Sequence, residues 1–237
     1  MKKAILFDMD GTILDTLKDL TNAINETMRH FGHRANYSTK ECGMFFGSGV
    51  VVALKRALAY EAGYSYKDLE LIGTKKEETL HLPAFELEDL QEYYRPFYAS
   101  HCKESTRPYP GILQMIRDLK EAGLLVACIS NKPNPAVQAL CQEHFEGAFD
   151  FALGETPQIP RKPEACMIQK ALEALACQPE EALYVGDSEI DLLTAKNSGM
   201  EVILVDWGFR SRNFLLDQGA NKIVSNCQEL KNSILQA

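Results

Sequence analysis

Four uninterrupted apolar runs constrain this chain more than any other feature: AILF at 4–7, LLVACI at 124–129, ALYV at 182–185 and VILV at 202–205. Each has strand length, is rich in branched residues and shows no polar alternation, as expected for strands buried on both faces of a parallel sheet. FDFAL at 149–153 is a weaker fifth run. Helical periodicity covers Ile112 to Ala122, Pro135 to His144, Glu164 to Ala176 and Ile190 to Ser198, with Gly123 and Gly199 placed to stop two of these helices. Strand and helix alternating from about residue 110 onward predict an α/β fold, a doubly wound parallel sheet with right-handed crossovers.

Residues 16–88 break that rhythm. They carry helical spacing (Leu17, Leu20, Ala23, Ile24, Thr27, Met28) but no comparable strand run, so they read as an inserted helical module, leaving 1–15 and 89–237 for the α/β core. Within the module, FGSG at 46–49 precedes an apolar helix from Val50 to Tyr60; Gly47, Ser48 and Gly49 suit a substrate-facing loop and a plain turn equally well. The clearest linker signals are Leu82-Pro83 and the run Arg107-Pro108-Tyr109-Pro110-Gly111. A hydrophobic share of 46% with 24% charged residues is enough for a substantial core and excludes a disordered chain.

The polar residues at the strand ends carry the chemistry. Asp8, Met9, Asp10, Gly11 and Thr12 come directly after the first run, Ser130 and Asn131 after the second, and Gly186 and Asp187, with Asp191 four residues on, after the third. Ligands of open parallel sheets bind at the carboxyl ends of the strands, so these side chains should converge on one crevice. Carboxylates clustered there would repel one another. A hard divalent cation with oxygen ligands relieves this, and Mg2+ fits best because it needs few protein carboxylates and keeps positions for water and a phosphate oxygen. Lys162, just ahead of Pro163, would add positive charge, and Pro163 suits a first helical turn whose amides face an anion. Asp8 and Asp10 permit a division of labour, one carboxylate attacking phosphorus and the other donating a proton to the leaving oxygen. Gly11 would allow a sharp turn and close backbone approach to the substrate.

The remaining composition narrows the partners. A net charge of −8 without a basic tract argues against nucleic acid. The N-terminal apolar run breaks at Asp8, too short for a signal core or a membrane span, so the expected location is cytoplasmic with no membrane association. Seven cysteines without a CxxC pair fit unpaired thiols in a reducing compartment. The sequons at Asn25 and Asn36 are then chance matches, and the five histidines show no metal spacing. Lys132 either lines the site through its neighbour Asn131 or is a solvated lysine, the second reading being favoured, and the sequence carries no signal of oligomeric state.

DMDGT after the first strand, SN after the second, KP before a helix and GDSEID after the later strand together resemble the haloacid dehalogenase superfamily of phosphatases. DLTNAINETM, RPYPGI, ISNKP, VGDSEIDLLTAKNSGM and the closing WGF look like its phosphoglycolate phosphatase group, so the resemblance spans nearly the whole chain. It implies a Rossmann-like core with a helical cap inserted after the first motif. It also implies that Asp8 is the nucleophile and Asp10 the general acid and base. Thr12, Ser130, Asn131 and Lys162 would bind the substrate phosphate. Mg2+ would be held by Asp8, the backbone carbonyl of Asp10 and Asp187, with Asp191 in a supporting or metal-side position. The sequence departs from the group in Lys162-Pro163-Glu164-Ala165, where KPDP is common at the helix entry, and in Ser130, which replaces a threonine.

The expected activity is Mg2+-dependent hydrolysis of a small phosphorylated metabolite, with 2-phosphoglycolate the first choice. Phosphomutase, pyrophosphatase or nucleotidase chemistry and a non-catalytic phosphate-binding role are the alternatives. Dehalogenation is disfavoured because Asp10 would have no work to do when the leaving group is a halide. A protein that had lost catalysis should lack at least one of Asp8, Asp10, Lys162 and Asp187, and all four are present.

Overall fold

The computed structural model describes residues 2–237. In chain order its elements are β1 (Ala4–Phe7), β2 (Leu14–Asp15), α1 (Leu17–His30), α2 (Thr39–Phe45), α3 (Val50–Glu61), α4 (Tyr66–Leu71), α5 (Leu87–His101), β3 (Arg107–Pro108), α6 (Ile112–Glu121), β4 (Leu125–Pro133) and α7 (Asn134–Phe145). Next come β5 (Phe151–Glu155), α8 (Cys166–Ala174), β6 (Ala182–Gly186), α9 (Glu189–Asn197), β7 (Glu201–Val205), α10 (Arg212–Asp217), β8 (Ile223–Val224) and α11 (Cys227–Leu235). None of these helices is long and apolar enough to cross a membrane.

Two compact units result, Met1–Asp15 with Arg107–Ala237, and Thr16–Thr106. The first is the predicted doubly wound core, a parallel sheet of six strands in the order β5-β4-β1-β6-β7-β8. Alternation within β1 divides its residues between two helical layers. Ile5 and Phe7 pack with Ile116 and Leu119 of α6, Val137 and Leu140 of α7, and Leu230 and Ile234 of α11. Ala4 and Leu6 turn the other way, toward Met167, Ile168 and Leu172 of α8 and Ala195 of α9. Burying each large side chain contributes about 1.5–3 kcal/mol, so both faces of β1 must be apolar and the run must be continuous.

Register places the site. Phe7 lies opposite Cys128 of β4 on one side and Val185 of β6 on the other. The residues just beyond, Asp8, Ser130 and Asp187, therefore reach one edge of the sheet. The chain leaves β1 for β4 on one side and β6 on the other, and such a switch of direction opens a crevice at the carboxyl ends.

The second unit is helical, as anticipated, but the boundary expected at residue 88 moves to Thr106. Leu90, Tyr94 and Tyr98 of α5 repeat every four residues and are buried, and α5 packs on α1 and α3. Leu82-Pro83 is thus a loop inside the insertion. The buried Asp19 of α1 accepts from the backbone N–H groups of Ser105 and Thr106 and from the Thr106 hydroxyl, tying the start of the insertion to its end. In the core unit, β2 and β3 pair antiparallel, Leu14 with Pro108 and Asp15 with Arg107, a short ribbon that apolar patterning did not reveal.

Two further expectations are corrected, and one short strand is added. β4 continues past Ile129 to Pro133, so Ser130, Asn131 and Lys132 belong to the strand itself. Pro163 does not open a helix: the Lys162-Pro163 peptide is cis and α8 begins only at Cys166. β8, only two residues long, was too short to register as an apolar run.

Candidate active site

At the end of β1, Asp8 is buried and its N–H donates to the Val185 carbonyl at 2.8 Å, continuing the sheet into the site. Its Oδ1 accepts from Lys162 Nζ at 2.7 Å. The same ammonium donates to Asp191 Oδ1 at 2.9 Å and to Tyr184 OH at 3.0 Å, so all three of its protons are placed within the protein. The Lys162 backbone is held as well. Asn131 Nδ2 donates to its carbonyl at 3.0 Å, and its N–H donates to Asn131 Oδ1 at 2.9 Å. Asn131, expected at the phosphate, thus fixes the lysine that contacts Asp8.

Asp187 comes just after β6 and is 1% exposed. Thr12 Oγ1 donates to its Oδ1 at 3.3 Å, and the Phe209 N–H to its Oδ2 at 2.7 Å. Thr12 therefore orients the Asp187 carboxylate. Two glycines make room for that carboxylate. A Cβ on Gly11, whose φ is +82°, would lie 2.4 Å from Asp187 Oδ2, and one on Gly208 would lie 2.3 Å from it. Gly11 thus brings the backbone close to Asp187. The Trp207 indole N–H donates to the Thr12 carbonyl at 3.1 Å, fastening the 207–209 turn to the loop after β1.

Asp191 is wholly buried. Besides Lys162, Tyr184 OH donates to its Oδ1 at 3.0 Å, while its Oδ2 accepts from the Asp187 N–H, the Ser188 N–H and the Ser188 hydroxyl. Ser188, not Asp187, caps α9. Burial works against the Asp191 carboxylate, but Lys162, Ser188 and Tyr184 outweigh it and hold its pKa below the usual range. Its two neighbours behave oppositely. Burial, with Asp191 and Asp10 adding repulsion against the pull of Lys162, pushes Asp8 up to about 7. Burial followed by repulsion from Asp191 and Asp8 raises Asp187 well above the carboxylate range.

Those directions test whether the donor set suits a cation. Oxygens of Asp8, Asp187 and Asp191 come within 4.8 Å of one another, and the first two carry more negative charge than their surroundings compensate. A divalent ion would supply the missing charge, so the residues fit one. Asp191, already compensated by the Lys162 ammonium and accepting from five donors against two for Asp187, fits a supporting role better than a ligand position.

Asp10 is half-buried, and its Oδ1 lies 3.0 Å from Nζ of Lys132, whose side chain is 3% exposed. Lys132 is therefore a buried member of the site rather than a solvated surface lysine. The legible signal was its position: once β4 is known to run through Pro133, residue 132 shares a face with Ser130. Ser130 is 2% exposed, and its Oγ accepts from the Lys132 N–H at 3.1 Å. Tyr184 and Phe209 were also missed, one hidden inside an apolar run and the other acting through its backbone, which no side-chain motif reports.

The profile of the haloacid dehalogenase-like hydrolases matches residues 5–205. The chain belongs to this family. Among relatives of this haloacid dehalogenase-like hydrolase, the phosphoglycolate phosphatase 1 of Pseudomonas aeruginosa is 28% identical over 231 residues, spanning 97% of this chain and 79% of the relative. The phosphoglycolate phosphatase of Vibrio parahaemolyticus is 30% identical over 208 residues, spanning 87% and 85%. A crystal structure of a candidate phosphoglycolate phosphatase from Lactobacillus delbrueckii subsp. bulgaricus superposes with a TM-score of 0.95 at 48% identity, covering 99% of both chains. The comparisons place this haloacid dehalogenase-like hydrolase among the phosphatases, in the group resembling phosphoglycolate phosphatases.

Proposed function

We propose that the protein hydrolyses a small phosphate monoester through a phosphoryl group carried on Asp8, with Mg2+ held by Asp8, the Asp10 carbonyl and Asp187, and that 2-phosphoglycolate is the preferred substrate. The observation that carries the reaction is the Asp8 carboxylate at the end of the central strand, one oxygen anchored by Lys162 at 2.7 Å and Asp187 beside it. Bound there, the cation would neutralise the carboxylates and the phosphoryl oxygens.

Asp8 attacks phosphorus with a carboxylate oxygen, forming an acyl phosphate as the ester P–O bond breaks. Asp10 gives its proton to the departing oxygen, then takes one from the water that attacks the phosphorus of the acyl phosphate. Inorganic phosphate leaves and the Asp8 carboxylate is restored. Lys162 keeps Asp8 oriented through both steps, and Ser130, within the neighbouring strand β4, contacts the phosphoryl oxygens. Lys132 sets the position of the Asp10 side chain. The substrate assignment rests on the relatives named above, each a phosphoglycolate phosphatase by name.

The test is phosphate release from phosphoglycolate, sugar phosphates, nucleotides and pyrophosphate, with and without Mg2+. Phosphoglycolate should show the highest kcat/KM, and chelation should abolish turnover. Another ester preferred over phosphoglycolate would overturn the substrate assignment. No turnover of any ester with Mg2+ present would overturn the reaction.

A further inference from the structure

We infer that the ion pair between Glu189 and Arg210 is a positioning device for Asp187 and thereby sets the affinity of the site for its divalent cation; the inference rests on the metal reading above. Neither residue belongs to the donor set. Arg210 is buried, and its guanidinium grips Glu189 in bidentate fashion, Nε to Oε2 at 2.7 Å and Nη2 to Oε1 at 3.1 Å. Glu189 stands two residues after Asp187 and opens α9. Arg210 stands one residue after Phe209, whose N–H donates to Asp187 Oδ2 at 2.7 Å.

The ion pair and that hydrogen bond close a ring through Asp187, Ser188, Glu189, Arg210 and Phe209. The ring holds the 207–209 turn against the carboxylate. Trp207 fastens the near end of the turn to the loop after β1 and the ion pair holds its far end, while Gly208 between them carries no side chain to pack and admits none beside Asp187. A planar two-bond fork resists both rotation and translation, which a single point contact does not.

Partners that orient metal-binding carboxylates typically change metal affinity by about 10–100-fold when removed. Calorimetric titration of the full chain with Mg2+ alone tests this for wild type, Arg210→Gln, Arg210→Lys and Glu189→Gln. Both glutamine variants should bind Mg2+ about tenfold or more weakly, with Arg210→Lys intermediate because it keeps the charge but loses the fork. At saturating Mg2+, kcat and the KM for the phosphate ester should stay near wild type. Glu189→Gln preserves size and one acceptor, so it remains informative if Arg210→Gln does not fold. Unchanged Mg2+ affinity in folded variants would overturn the inference while leaving the proposed reaction standing. A raised KM with unchanged Mg2+ affinity would also overturn it, making Arg210 a substrate contact. A wild type that binds no Mg2+ would overturn both readings.

Discussion

Asp8→Asn should abolish turnover and, without metal, make the protein more stable. Burial pushes the Asp8 carboxyl from 3.8 up to about 7, so the folded state holds a proton there that the unfolded chain releases. Across the window from about 4 to about 7, the folded state binds more protons than the unfolded one, and stability falls as pH rises through it. Above pH 7 the cost is fully present. At about 1.36 kcal/mol per pH unit it approaches roughly 4 kcal/mol as an upper figure. Asparagine removes the charge yet leaves an oxygen to accept from Lys162. A gain of about 2 kcal/mol, at about 2–4 °C per kcal/mol for a chain of this size, raises the melting temperature by about 4–8 °C. The assay is thermal unfolding at pH 6 and pH 8 in chelator, beside phosphate release with Mg2+. Wild type should melt higher at pH 6 than at pH 8, and the variant should lose much of that difference. A variant that melts at or below wild type at pH 8 in chelator would refute the burial argument, and one that retains turnover would refute Asp8 as nucleophile.

Asp10→Ala should slow an alkyl phosphate far more than an aryl phosphate, because a proton donor matters most to a poor leaving group; equal losses in single-turnover measurements would count against the acid role. Gly208→Ala should weaken Mg2+ binding, since the new Cβ would sit 2.3 Å from Asp187 Oδ2, and an unchanged calorimetric affinity would show that the carboxylate has room to move. Calcium should compete with Mg2+ and suppress turnover without unfolding the protein, because it takes more ligands and binds carboxylates through both oxygens, occupying the nucleophile; steady turnover with calcium as the only divalent ion would disprove this account.

The core was legible in the sequence because a strand buried on both faces must be apolar at every position. AILF, ALYV and VILV therefore announced β1, β6 and β7 to within a residue at either end. Asp8, Asp187 and Lys162 were legible because each stands beside a strand or a proline in a local motif. The strandless insertion was legible by contrast with the core, though its far boundary was not. α5 could be assigned to the insertion only by its packing on α1 and α3, and a helix does not state in its sequence which neighbours it will bury.

What the tertiary structure decided is the division of work among the polar residues. The sequence by itself determined that Thr12, Asn131, Lys132 and Asp191 stand near strand ends, a consequence of apolar runs and their lengths. Which group each touches depends on separations of more than a hundred residues, as between Thr12 and Asp187 or Lys162 and Asp8. Thr12 orients Asp187 and Asn131 holds the Lys162 backbone, contacts that no local motif states; Lys132 has the sequence context of a solvated lysine, yet it is buried against Asp10. The reason is electrostatic. Once parallel pairing crowds several carboxylates onto one edge of a low-dielectric core, each must find a cation or a donor. Those partners come from whichever strand ends and turns the register brings alongside.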